Sequence, residues 1–334
     1  MQITQFGDMA QSYTMRSQNT AIKQEMQRLS TEIATGQIAD VRKIANGSTA
    51  YLNDLERSLT KLDGYDMATL EAGQLASGMQ TALIRIGDLN TSFQATLLTA
   101  TNAAFGDTSS SILSEARATF GQVISAMNTS VSGRAIFAGT ATDTQPIAPP
   151  ADILSAFRAA LVGTGSVDDI LTSAQTWFED PTGFGAIGYL GSNTSLEAVA
   201  LSDEDTAQFV IRGDDPVLRD TLRNLALIAL ADDPALGLTE AQQTELFQKS
   251  SSNVMVAGET LIKLQAKVGM SENQIEVLKV RHTSERTSLE MARNDLLSID
   301  PYQAATELEQ VQFQLQSLYA ITSRMSQLSL VNYL

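Results

Sequence analysis

His282 is the single side chain of these 334 residues whose ordinary pKa lies near neutrality. A general base or metal ligand there would need a carboxylate, a second histidine or a thiolate beside it. The sequence contains no cysteine and no other histidine, which removes disulfides, thiolate metal sites and Cys/His nucleophiles. His282 also falls at a helical seam position with Ile275, Leu278 and Leu289. A polar seam residue that fixes register, or one turned to solvent, is the simpler account.

Three other patterns could carry chemistry. Gly183-Phe184-Gly185-Ala186-Ile187-Gly188 satisfies the spacing of a dinucleotide-binding loop. Such a loop needs a strand before it and a helix opening on it; TWFEDPT precedes and YLGSNT follows, so a turn is expected. Asp214-Asp215-Pro216 and Asp232-Asp233-Pro234 could pair carboxylates for acid–base work or a cation. Asp before Pro is also the ordinary way to cap a helix or start a turn. Asp203-Glu204-Asp205 lacks the ligand spacing of a calcium loop. No catalytic constellation, cofactor or metal site is expected, and the chain is not read as an enzyme.

The elements that would position these residues are mostly helices. Leu261, Leu264, Val268, Ser271, Ile275, Leu278, His282, Glu285, Leu289, Ala292 and Leu296 alternate spacings of three and four, which predicts one long heptad-patterned helix. Asp300-Pro301 stops it and opens the next. That last helix carries Leu308, Val311, Leu315, Leu318, Ile321, Met325 and Leu328. At the other end Met15, Ile22, Met26, Leu29 and Ile33 form a matching stripe, with Gly36 as its C-terminal cap. Residues 48–103 predict another long helix, with a register stutter near Gly64–Gly73 rather than a break. A turn follows at Gly106-Asp107, then a helix over 110–131.

Between the helical parts, Gly and Pro punctuate the chain. Short helices are predicted near 151–162, 166–178 and 215–231, and strands at 185–190, 195–201 and 207–212, of which AQFVIRG has the best β composition. The fold class expected is mainly α: a long antiparallel helical bundle or coiled coil built by the N- and C-terminal segments, with a small inserted α+β domain. The domains are expected at 1–45 plus 298–334, 46–138 plus 238–297, and 139–237.

Charge sharpens that division. Of a net −16, residues 138–250 hold 17 acidic against 5 basic groups, whereas residues 1–60 hold 6 of each. Nucleic-acid binding is disfavoured, because phosphate contacts need clustered Lys and Arg. No apolar run approaches the roughly 20 residues that span a bilayer, so no membrane insertion is expected. MQITQFGDMAQSY has neither a basic n-region nor an apolar h-region, so the protein is expected to be cytoplasmic or exported by another route. Charge-poor ends carrying helical apolar stripes fit surfaces that become buried when subunits meet. The twelve stripe residues from Met15 to Ile33 and from Leu308 to Leu328 are therefore the candidate assembly interface.

Three blocks of sequence resemble bacterial flagellins and hook-associated proteins. RLSTEIATG (28–36) is similar to the family's conserved N-terminal region, and NTSVSGRAIFAGTATDTQPI (128–147) to the segment that leaves its first bundle. The third runs from LQAKVG (264–269) to the C-terminal SLVNYL, an ending closer to hook–filament junction members than to filament flagellins. The resemblance implies a structural subunit exported unfolded by the flagellar type III apparatus and located outside the cell, in the flagellum. It implies terminal helices that pair inside a tubular assembly and a variable part facing outward; because isolated helices of that length are marginal in water, the termini are expected to be weakly ordered when free. Implied partners are copies of the same chain, neighbouring hook-associated and flagellin subunits, and an export chaperone before secretion. The alternatives are a filament-forming flagellin or, from another class, a cytoplasmic coiled-coil signalling or chaperone module.

Overall fold

The computed structural model describes residues 3–41, 46–101 and 109–331. In chain order these form α1 (Ile3–Thr35), α2 (Asn46–Thr101), α3 (Ser109–Met127), β1 (Ser130–Val131), β2 (Arg134–Ala135), α4 (Pro150–Leu161), α5 (Val167–Glu179), α6 (Phe184–Ile187), β3 (Val199–Ala200), β4 (Thr206–Ala207), α7 (Pro216–Ala229), α8 (Glu240–Leu297) and α9 (Pro301–Val331). The class is mainly α, as the periodicity implied. No helix among the described residues is long and apolar enough to cross a membrane. The chain divides into two compact units, Met1–Asp63 with Thr283–Leu334 and Gly64–His282.

In the second unit the apolar seams meet. On α2, Ala72, Ala76, Met79, Leu83, Ile86, Phe93 and Leu97 are buried; on α8, so are Leu246, Val254, Leu261, Leu264, Val268, Ile275 and Leu278. α2 stays helical through the expected stutter, where half-buried Asp66 and buried Thr69 and Ala72 follow at steps of three. α3 packs on α7, α4 on α5 and α5 on α7, and one contiguous core extends from Phe93 and Phe120 to Phe157, Phe178 and Phe184. Each such aromatic removes about 150–250 Å² from water, which makes this cluster a main source of the unit's stability.

Local chemistry explains the connections. α3 ends at Met127, earlier than its expected limit of 131, and a tight hairpin follows. Ser130 pairs with Ala135 and Val131 with Arg134, and the two loop residues, Ser132 and Gly133, take φ of 51° and 79°. Two positive φ values give the turn whose twist matches paired strands, and glycine adopts that conformation without strain. The Asn128 amide then imitates a strand, donating to Ile147 O and accepting from Ile147 N, each at 2.9 Å. Helix α5 opens on a reciprocal capping box between Ser166 and Asp169.

The strand expectations need correction. Residues 185–190 contain the end of α6 and an isolated bridge from Tyr189 to Ile147. Of 195–201 only Val199 and Ala200 pair, with Ala207 and Thr206. AQFVIRG does bury alternate residues, Ala207, Phe209 and Ile211, yet only its first residue joins a ladder. Beyond it, single bonds hold the segment: Gly213 N–H to Phe137 O at 2.8 Å and Ser195 Oγ to Val210 O at 3.3 Å. The turn expected at Gly106-Asp107 lies outside the described residues.

Candidate assembly interface

The first unit is organised by the meeting of α1 and α9. α1 is an amphipathic helix without Pro and ends at Gly36, whose φ of 71° and N–H bond to Glu32 O make it the expected left-handed cap. A short clasp ties its exit to the exit of α8. Gln37 bridges Ser298, Ile38 N–H bonds to Leu297 O at 2.8 Å, and Ile299 N–H bonds to Gly36 O at 3.1 Å. Asp300 then caps α9, accepting from Tyr302 N at 2.9 Å and Gln303 N at 3.3 Å.

A buried carboxylate sits beneath this clasp. Glu32 is almost fully buried, which would be costly for an unpaired charge. Its Oε2 accepts from the Arg28 guanidinium and its Oε1 from Ala39 N–H at 3.0 Å. Arg28 also donates to both oxygens of Glu25. The bonds to Glu25, with the neighbouring Glu32, hold the Arg28 guanidinium above its already high pKa. Further along, the Tyr319 hydroxyl meets Asn19 and Lys23 of α1, contacts that lower its pKa.

The candidate residues fall into three groups. Leu29 is fully buried. Met15, Ile22, Met26, Leu308, Val311, Leu315 and Leu318 are half-buried. Ile33 and Ile321 are exposed, at 37% and 51%. Met325 and Leu328 belong to α9, but their side chains lie outside the described residues. The helix pair thus covers one edge of each stripe and leaves another edge in water. The sequence reading missed Tyr13, Tyr302 and Phe313, which are exposed at 77%, 87% and 70%. They stand off the three–four seam; their signal was large aromatics on charge-poor helices of a chain with few aromatics.

The residues with chemical potential each have a local setting. His282 is 2% exposed, so it occupies the seam and is not turned to solvent. Its Nδ1 lies 3.2 Å from Asp66 Oδ1 and its ring stacks on Tyr65 at 6.1 Å, but neither ring nitrogen makes an aligned hydrogen bond. Asp215 caps α7 through Val217 N at 3.0 Å, and Asp214 is held by Arg212. Asp232 pairs with Arg117, and Asp233 accepts from Ala235 N. The glycine motif opens the four-residue α6 with its backbone against Trp177, in the tight turn expected of it. No group of three metal-ligating side chains occurs among the described residues.

Comparison with known proteins points the same way as the helices. The family model of the bacterial flagellin C-terminal helical region matches residues 252–334. No curated protein sequence matches the chain. Among solved structures, Bacillus cereus FlgL is similar in fold, with a TM-score of 0.52 and 15% identity over 72% of this chain and 98% of that one. A chain described as a flagellar hook-associated protein from Vibrio parahaemolyticus gives a TM-score of 0.47 at 15% identity, covering 75% of this chain and 98% of that one. From residue 252 to residue 334 this chain is therefore similar to the flagellin C-terminal region, and its fold is similar to that of FlgL.

Proposed function

We propose that this chain is a non-enzymatic structural subunit of the bacterial flagellum that joins hook to filament. The match of residues 252–334 to the flagellin C-terminal region carries the reading, because it spans α9 and most of α8. The half-covered stripes of α1 and α9 support assembly through them. Met15, Ile22, Met26, Leu29 and Ile33 of α1, with Leu308, Val311, Leu315, Leu318, Ile321, Met325 and Leu328 of α9, are the candidate interface positions within and between subunits. Residues 1–45 with 298–334 form the assembly part, 46–138 with 238–297 the supporting helices, and 139–237 the acidic insert that faces outward. The subunit is exported before assembly, held by a chaperone, and meets further copies of itself, other hook-associated proteins and flagellin.

A filament-forming flagellin is the second reading, favoured by the family named in the C-terminal match. Cells producing the chain without residues 301–334 separate the two. Hooks without filaments, with intact flagellin shed into the medium, support the junction role. If this chain is itself the main component of purified wild-type filaments, the flagellin reading replaces it. Normal motility with intact filaments contradicts both and returns the cytoplasmic coiled-coil alternative.

A further inference from the structure

The long seam between α2 and α8 in the second unit contains two polar contacts built to one plan. The Gln265 side chain on α8 donates its Nε2 to Leu83 O on α2 at 2.8 Å. The Asn90 side chain on α2 donates its Nδ2 to Val254 O on α8 at 3.1 Å. In an α-helix each of those carbonyls already accepts from the N–H four residues onward. In both helices the residue four onward is glycine, Gly87 after Leu83 and Gly258 after Val254. A Cβ at Gly87 would stand 2.7 Å from Gln265 Nε2, and one at Gly258 would stand 3.1 Å from Asn90 Nδ2. The missing side chain is what lets the opposing amide reach a carbonyl that the helix already uses.

These contacts do something that the apolar seam cannot. Buried positions recur on α2 at Ala76, Met79, Leu83, Ile86, Asn90, Phe93 and Leu97, and Asn90 is the polar member among them. Their spacings repeat every seven residues, as they do on α8. Sliding one helix past the other by a heptad would again set aliphatic groups against aliphatic groups, so burial alone discriminates weakly between alignments. A slipped alignment would face Gln265 with Gln80 or Gln94 in place of Gly87, and Asn90 with Ser251 or Gln265 in place of Gly258. The docks would be filled, and Asn90, only 1% exposed here, would be buried without its acceptor.

We infer that the paired amide-on-glycine contacts, Gln265 over Gly87 and Asn90 over Gly258, are a register latch that restricts α2 and α8 to one axial alignment. A single buried polar residue is known to fix register in coiled coils at some cost in stability. Here two latches of opposite polarity, one donor from each helix, hold the pair against sliding in either direction. The inference concerns the helix pair itself and stands apart from the flagellar reading.

The chain has no native cysteine, so spin labels at Arg85→Cys and Lys263→Cys, both exposed, report the alignment in the full-length protein. The parent should give one narrow distance. Asn90→Leu with Gln265→Leu keeps the volume, removes both donors and should add a second population. A slip of one heptad displaces the helices by about 10 Å at 1.5 Å per residue. A single unchanged distance in a helical double variant overturns the latch. Should that variant lose its helical circular dichroism, Gly87→Ala with Gly258→Ala decides instead. It fills the docks while strengthening both helices locally; a second distance there supports the latch, and an unchanged single one overturns it.

Discussion

Helix α8 carries one heptad pattern through two settings. In the second unit Leu261, Leu264, Val268, Ile275, Leu278 and His282 are all buried. In the first unit the same spacing continues through Leu289, Ala292 and Leu296, and these are only half-buried. The pattern decides which face of a helix is apolar; the number of elements packed on that face decides whether it leaves water. The second unit supplies α3, α4, α5 and α7 around a single core. The first unit buries Leu52, Leu55, Leu59 and Leu62 of α2 together with Leu29, but leaves the outer stripes of α1 and α9 partly uncovered.

The largest effect that can break this contrast is a pair of truncations. Phe120→Ala, at a side chain with no exposed surface, should cost about 3–5 kcal/mol in the free chain. Leu315→Ala should cost about 1 kcal/mol there, since full burial of a leucine is worth about 1.5–3 kcal/mol and this one is half-buried. Urea unfolding measures both. Equal costs would mean that the first unit is as closed as the second. In the assembled state Leu315→Ala should become the more damaging of the two to subunit recovery in sedimentation.

A smaller effect probes the one strongly buried charge among the described residues of the first unit. Glu32→Gln keeps the shape but removes the carboxylate from Arg28 and Ala39, and should destabilise by about 1–3 kcal/mol. A change within about 0.5 kcal/mol would show that the clasp is held by its backbone bonds alone.

The smallest effect belongs to the second unit and to alkaline pH. Burial pushes Tyr189 up to about 12, with Asp214 adding to the shift. A phenol raised above its unfolded value of about 10 binds more protons when folded. Its contribution is fully present below about pH 10 and is lost as pH climbs towards about 12. Ultraviolet titration should therefore show a tyrosinate step near pH 12 that is absent in Tyr189→Phe. Tyr319, lowered by Asn19 and Lys23, should titrate below the ordinary tyrosine value.

The same contrast separates what was legible in the sequence from what was not. The α8 seam, Gly36, Asp300-Pro301 and the Asp215 cap were readable because each rests on contacts within one helix or turn. The inserted strands were not. AQFVIRG has the alternation of a strand, yet ladder formation depends on a partner segment that the sequence does not mark, and only Ala207 finds one. The glycines of α2 and α8 read as weaknesses in a helix. Gly87 and Gly258 acquire a purpose only when an amide from the other helix lies over them. For the candidate interface, periodicity located the stripes but could not tell buried Leu29 from exposed Ile321. That distinction needs the neighbours.

Hydrogen exchange on the free and assembled chain tests the central claim most directly. The account predicts rapid exchange along α1 and α9 in the free chain beside slow exchange in the α2, α3, α7 and α8 core of the second unit, with α1 and α9 becoming protected on assembly. Terminal helices already as protected as that core in the free chain, and unchanged on assembly, would contradict it.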